Sequence, residues 1–364
     1  MKILKNITVF TMVMLLSVST VLEAREKNIS NFSSSASNLV DSTGTFDGNK
    51  IYADVANNGL FLDYHVSGDS ALEWPKGTGV HSIFQSALWM GATVNGSIRT
   101  IVGDYTQDMG PGPWGGDPLA AVHRIYKVEK SMLASPLDFA DFQEWPVEFG
   151  APWVDVDGDG VYTPLPGGTD HPEFLGDQVL WFVSNDGDPA YKLNFGTSPM
   201  NVEIQTTMFG FDRPDVFGDM VFLKQLVINK GSDDLVDTYM GLWSDPDLGY
   251  AGDDFVGCDV ALGMGYVWND GDDSQYSTLD IGTPAAGYDF FQGPMVPCED
   301  GDSEEVCPTE GAKMFGTRHP GMKNLKMSSF AFYINGDATY TDPSDETEGY
   351  FYLQGLRKDG SAYP

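Results

Sequence analysis

Asp155, Asp157 and Asp159 alternate along Asp155-Val-Asp-Gly-Asp-Gly-Val-Tyr162, a spacing suited to gripping a hard cation. Carboxylates at loop positions one, three and five, with Gly160 at position six for a sharp turn, wrap oxygen donors round Ca²⁺. The backbone carbonyl of Val161, at position seven, is the next expected ligand. Asp and Gly also dominate solvated turns, which is the competing reading of the same residues. The chemistry favoured is a structural Ca²⁺ clamp rather than a sensor.

Over these eight residues the segment resembles the calcium loop of EF-hands, dockerins and thrombospondin-type repeats. It then departs from that pattern. Pro166 stands at position twelve, where an EF-hand carries a bidentate Glu. Pro152, Pro164 and Pro166 also oppose the flanking helices of an EF-hand.

A second acidic stretch, Trp243 to Asp259, sets Asp245, Asp247, Asp253 and Asp254 just beyond an expected strand. Loops at a strand end can converge carboxylates on a second Ca²⁺. A carboxylate pair could instead serve as acid and base in glycoside hydrolysis, or the stretch could be a solvated loop. Asn185-Asp-Gly-Asp188 and Asn269-Asp-Gly-Asp-Asp273 repeat this chemistry after aromatic runs, and both also read as turns. Trp74, Trp114 and Trp153 lie beside Pro or Gly in expected loops. Exposed rings of that kind can stack on sugars, so the three are candidate glycan contacts; loop packing is the commoner role.

Other chemistries lack their residues. Gly68-Asp-Ser-Ala-Leu72 resembles the nucleophile block of GDSL-type esterases, but Glu73-Trp-Pro75 blocks the helix that must follow, and no Asp-x-x-His stands near the end of the sequence. Gly-x-Ser-x-Gly, His-Glu-x-x-His and phosphate-binding glycine loops are missing, and the five histidines are scattered.

The N-terminus points to export. Lys2 and Lys5 precede an apolar run, Ile7–Leu22, with cleavage expected after Ala24. The run is short for a membrane span, and no later segment is apolar enough to be one. The formal charge of -33 disfavours nucleic acid and anionic membranes as partners. Divalent cations or a saline exterior would relieve the self-repulsion. Cys298 and Cys307 bracket an acidic loop and are expected to pair in an oxidising compartment; Cys258 is expected to be a small buried hydrophobe.

These residues need a scaffold, and the patterning is all-β. Short apolar or aromatic runs are separated by Gly, Pro, Asn and Asp clusters, supported by 42 glycines and 21 prolines. The expected fold is a β-sandwich, immunoglobulin/fibronectin-like or jelly-roll-like, with long acidic loops. Strands are expected at 59–66, 82–94, 98–102, 124–129, 178–184, 202–211, 220–229, 238–243, 263–269, 327–334 and 350–353. Val221–Asn229 and Val236–Trp243 read as a hairpin, and one short helix is expected at Pro136–Trp145. The expected organisation is a signal peptide over 1–24, a flexible leader over 25–49 and a β-rich unit over 50–150. A calcium-loop junction over 151–177 and a sandwich domain over 178–364 follow, the last read as cut short.

Several phrases resemble the N-terminal region of large, mostly uncharacterised secreted proteins of Bacteroidetes and marine bacteria. They include Leu72-Glu-Trp-Pro-Lys-Gly-Thr-Gly79, Leu88-Trp-Met-Gly-Ala-Thr-Val-Asn-Gly96, Gly241-Leu-Trp-Ser-Asp-Pro-Asp-Leu-Gly249 and Tyr350-Phe-Tyr-Leu-Gln-Gly-Leu-Arg-Lys-Asp-Gly360. The resemblance implies type IX secretion cargo and supplies no catalytic residues. Together the residues point to a secreted, Ca²⁺-stabilised module with a glycan or cell-surface ligand. A glycan hydrolase using paired Asp carboxylates and an inert matrix component are the alternatives.

Overall fold

The structure is a computed structural model that describes residues 43–165, 170–334 and 336–363. The expected signal peptide and residues 25–42 of the leader lie outside the described residues, as does Pro166. The fold is all-β, and every described strand pairing is antiparallel. No helix among the described residues is long and apolar enough to cross a membrane.

Contacts divide the chain into two compact units. One runs up to Asp247 and resumes at Tyr333; the other is Leu248–Phe332. Residues 50–150, 151–177 and the 178–247 part of the region expected over 178–364 therefore share a unit. Sheet pairing is the reason, since strands from the early and late parts of that stretch lie side by side.

In the first unit, β1 (Thr43–Phe46), β2 (Tyr52–Ala56), β3 (Leu72–Glu73) and β4 (His81–Ile83) form one sheet in that order. The leader thus ends in a strand: Phe46 is fully buried and ties it down. A second sheet sets β5 (Gln85–Val94) between β6 (Ser97–Ile101) and β14 (Val236–Asp245). A third is built on β11 (Gln178–Asn185). On one side β11 pairs with β12 (Val202–Gly210), which pairs in turn with β13 (Phe222–Asn229). On its other side β11 pairs with β7 (Gly110–Pro111) and β8 (Tyr126–Glu129).

The second and third sheets share a core. Leu88, Met90, Ala92, Val94 and Ile101 pack with Met200, Val202 and Ile204, and Met240 and Leu242 close the edge. A second cluster joins Val179, Trp181 and Val183 to Tyr126, Phe142 and Trp145. Every residue of β11 is buried, which is why that run reads as continuously apolar rather than alternating. Truncating Trp181 to Ala would cost about 3–5 kcal/mol.

Five expectations fail. The hairpin across 221–243 does not form, because β13 pairs with β12 while β14 crosses to β5. Tyr350–Leu353 belongs to a helix, Glu346–Leu353, not a strand. Asp345 caps it by accepting from the Glu348 N–H at 2.9 Å, and Glu346 and Glu348 lie in its first turn. The helix lies close on β5, where a Cβ at Gly91 would come within 2.7 Å of the Tyr350 ring. Residues 327–334 form no strand, and 59–66 holds a single bridge, Leu62 to Ser86. The expected helix at 136–145 shrinks to a 3₁₀ turn, Pro136–Asp138, and a single turn, Ala140–Gln143.

The second unit carries a three-stranded sheet of β15 (Asp254–Asp259), β16 (Met264–Asn269) and β17 (Ala286–Asp289). Cys298 and Cys307 are disulfide-bonded with their Cα atoms 5.8 Å apart. Cys258 is half-buried in β15, and desolvation pushes its thiol up, away from the reactive thiolate.

Candidate metal centre

A two-stranded ladder builds the site. β9 (Trp153–Val154) pairs with β10 (His171–Pro172) in the register Val154 to His171 and Trp153 to Pro172. Asp155 is the first residue beyond β9, and Asp170 is the last before β10. Register alone brings these two carboxylates to the same end of the ladder, and the intervening loop folds Asp157 and Asp159 toward them.

The loop holds itself by side-chain acceptance. Asp155 accepts from the Gly158 N–H at 2.6 Å and the Gly160 N–H at 2.9 Å. Asp157 accepts from Asp159 N–H at 3.2 Å, and Asp159 from Val161 N–H at 2.7 Å. Gly158 and Gly160 have φ of 77° and 75°, a left-handed conformation that a side chain disfavours. Asp170, only 1 % exposed, accepts from Val156 N–H at 2.9 Å and from the Thr163 N–H and hydroxyl at 2.8 and 3.2 Å.

One carboxylate oxygen from each of Asp155, Asp157, Asp159 and Asp170 lies within 4.8 Å of the others, so the four could hold a metal ion. The donors are all oxygen. Two opposite shifts record the crowding. The Thr163 N–H, helped by Val156 N–H and the Thr163 hydroxyl, outweighs burial and holds the Asp170 carboxyl below its ordinary value. The Asp159 N–H pulls Asp157 down, but desolvation and the carboxylates of Asp159, Asp170 and Asp155 together outweigh it, and the Asp157 carboxyl is raised.

The loop is also tied to the aromatic core. Tyr162 donates from its hydroxyl to the Phe142 carbonyl at 2.6 Å and meets Trp153 edge-on at 5.5 Å. Both rings pack on the cluster around Trp145 and Trp181. An ion drawing the four carboxylates together would therefore stiffen a loop already stapled to the core.

Sequence spacing missed Asp170. The loop pattern directed attention to position twelve, Pro166, whereas the fourth carboxylate is set by ladder register. The apolar pair Trp153-Val154 before the loop was the signal available, and His171-Pro172 after it gave none. Val161 is 57 % exposed, and its N–H serves Asp159.

No protein-family model, curated protein or solved structure matches this chain.

The remaining expected ligands stand elsewhere. Asp245 accepts from the Tyr105 hydroxyl at 2.9 Å, and Asp247, nearly buried, closes the first unit's main segment. In the second unit Asp253 accepts from the Asn269 amide at 2.7 Å, and Asp254 from Leu248 N–H at 2.9 Å. Among the described residues, only the four carboxylates of the 155–170 loop form a group with metal-ligand spacing. Two of the recurring acidic turns contain structural acceptors: fully buried Asp186 takes the Met200 and Val202 N–H groups, and fully buried Asp273 takes those of Tyr250, Gln275 and Tyr276. Of the tryptophans, Trp74 donates to Asp219 at 2.9 Å, Trp153 packs on the core, and Trp114 remains 41 % exposed.

Proposed function

We propose that this protein is an exported β-sandwich module clamped by Ca²⁺, which serves as a surface binding or structural component. The convergence of Asp155, Asp157, Asp159 and buried Asp170 within 4.8 Å carries this reading. Ca²⁺ suits such a site best: it takes six to eight oxygen ligands in flexible loop geometry, whereas Mg²⁺ demands a tight octahedron and keeps its waters. Zn²⁺ prefers the thiolate and imidazole donors that this group lacks. The basic, apolar N-terminus, the Cys298–Cys307 disulfide and the resemblance to secreted proteins support export.

Binding rather than hydrolysis is favoured by the cleft beside Trp114. Glycoside hydrolysis uses two facing carboxyl groups, and that cleft is lined by one, Asp188. Isothermal titration of the EDTA-stripped protein with Ca²⁺ tests the clamp. One saturable site that disappears in the Asp157→Ala/Asp159→Ala double variant is expected; equal heats from parent and variant would remove Ca²⁺ from this loop.

A further inference from the structure

A cleft of about 310 Å³ opens beside Trp114. That is the low end of the range for small-ligand sites, about 300–1,000 Å³. Its walls are fixed in advance. Trp114 donates its backbone N–H to Glu203 at 2.9 Å and its indole N–H to Asn201 at 3.2 Å. Its edge lies so close to Gly187 that a Cβ there would come within 2.6 Å of the ring. The edge is anchored, yet Trp114 remains 41 % exposed. Asn185 bridges the two walls: its amide donates to the Gly112 and Pro113 carbonyls at 2.9 and 3.3 Å, and its oxygen accepts from Gly187 N–H at 2.9 Å. Tyr191, 3 % exposed, closes the floor against Gly110, where a Cβ would meet its ring at 3.0 Å. Asp188, exposed at the rim, accepts from Ala190 N–H at 2.9 Å.

These features select a ligand class. A partly exposed tryptophan in a cleft lined by Gly110, Gly115, Gly116 and Gly187 suits a single flat ring with an apolar side. A polyproline segment needs adjacent aromatic slots, and the second aromatic here is buried. The rim carboxylate accepts hydroxyl hydrogens, and a protein of formal charge -33 repels uronates, sulfates and phosphates. We propose that the Trp114 cleft binds one ring of a neutral polysaccharide, the sugar stacking on the indole and donating hydroxyls to Asp188. This rests on the reading of the protein as a binding module and does not require the cation, because none of the four clustered aspartates lines the cleft.

Affinity electrophoresis of the full chain tests it, in gels containing a neutral glucan, mannan, xylan or galactan, with alginate as the acidic control. Each is run with EDTA and with Ca²⁺. Retardation by at least one neutral polymer is expected, weakened tenfold or more in Trp114→Ala. It should be unchanged in the variant Trp268→Ala; Trp268, in the other unit, is 40 % exposed. Radical footprinting of the parent protein supplies a readout that does not depend on a variant folding: bound oligosaccharide should protect Trp114 and not Trp268. No retardation in any neutral gel, retardation by alginate alone, parent-like retardation of Trp114→Ala, or undiminished Trp114 oxidation overturns the proposal. If Ca²⁺ still binds the protein in those cases, the cation clamp stands and only the sugar site falls.

Discussion

Asp155 and Asp170 are 15 residues apart in sequence, yet they emerge from the same end of the β9–β10 ladder because Val154 faces His171. That relationship makes the fourth carboxylate a property of sheet register. It also gives the cluster a buried end, Asp170, and an exposed end at Asp155, Asp157 and Asp159.

If the register supplies the ligand, Asp170→Asn should remove Ca²⁺-dependent stabilisation while leaving the protein folded in EDTA. Asp253→Asn, on the acidic stretch in the second unit, should keep the parent's response. Melting curves of the two variants with and without Ca²⁺ decide between them; a lost response in Asp253→Asn alone would move the site.

Gly158 and Gly160 have open space where a Cβ would go, so their requirement is conformational rather than steric. Gly160→Ala should lower stability by about 1 kcal/mol and weaken Ca²⁺ binding, through the left-handed backbone alone. Chemical denaturation in EDTA separates the first effect from the second.

Lys192 is buried, with its ammonium 2.9 Å from Asp108 and 3.9 Å from Asp186. Lys192→Met leaves two buried carboxylates without their counter-ion and should destabilise by about 3–5 kcal/mol. Adding Asp108→Asn should restore part of that loss. A double variant no more stable than the single one would refute the pairing as the cause.

Asp104 gives the protein a pH dependence. Burial first, with Asp342 and Asp108 adding repulsion, outweighs the Tyr105 N–H and the Asn194 side chain and raises its carboxyl from 3.8 to about 7. The folded state then keeps a proton that the unfolded chain has already lost. Its contribution is complete below about pH 4 and is lost as pH rises through about 7, on the order of 4 kcal/mol in all. Asp104→Asn should flatten urea-denaturation stability across that window; an unchanged slope would contradict the assignment.

The parts of the fold that were legible in the sequence were those decided locally. Strands such as Val202–Gly210 and Met264–Asn269 sit where β-branched and aromatic runs end in Gly, Asn or Asp. Partner choice was not legible. Val221–Asn229 and Val236–Trp243 carry a short polar connection, but the first pairs with Val202–Gly210 and the second with Gln85–Val94. The Tyr-Phe-Tyr run at 350–352 suggested a strand, although Asp345 and Glu348 already spelled a helix start. At the candidate metal centre three of the four carboxylates followed from spacing, and the fourth followed only from pairing. The acidic residues around 245–254 looked similar in sequence because hydrogen-bond acceptors and metal ligands use the same side chain.

Thermal unfolding in EDTA and across a Ca²⁺ titration, with Mg²⁺ as control, tests the clamp most directly. An ion that binds only the folded state adds about 2.7 kcal/mol at a hundred times its Kd. The expected result is a Tm that climbs with Ca²⁺ by roughly 5 °C or more, with little response to Mg²⁺. A Tm indifferent to Ca²⁺ would reduce Asp155, Asp157, Asp159 and Asp170 to a hydrogen-bonded turn, and one that Mg²⁺ raises equally would contradict a Ca²⁺-selective clamp.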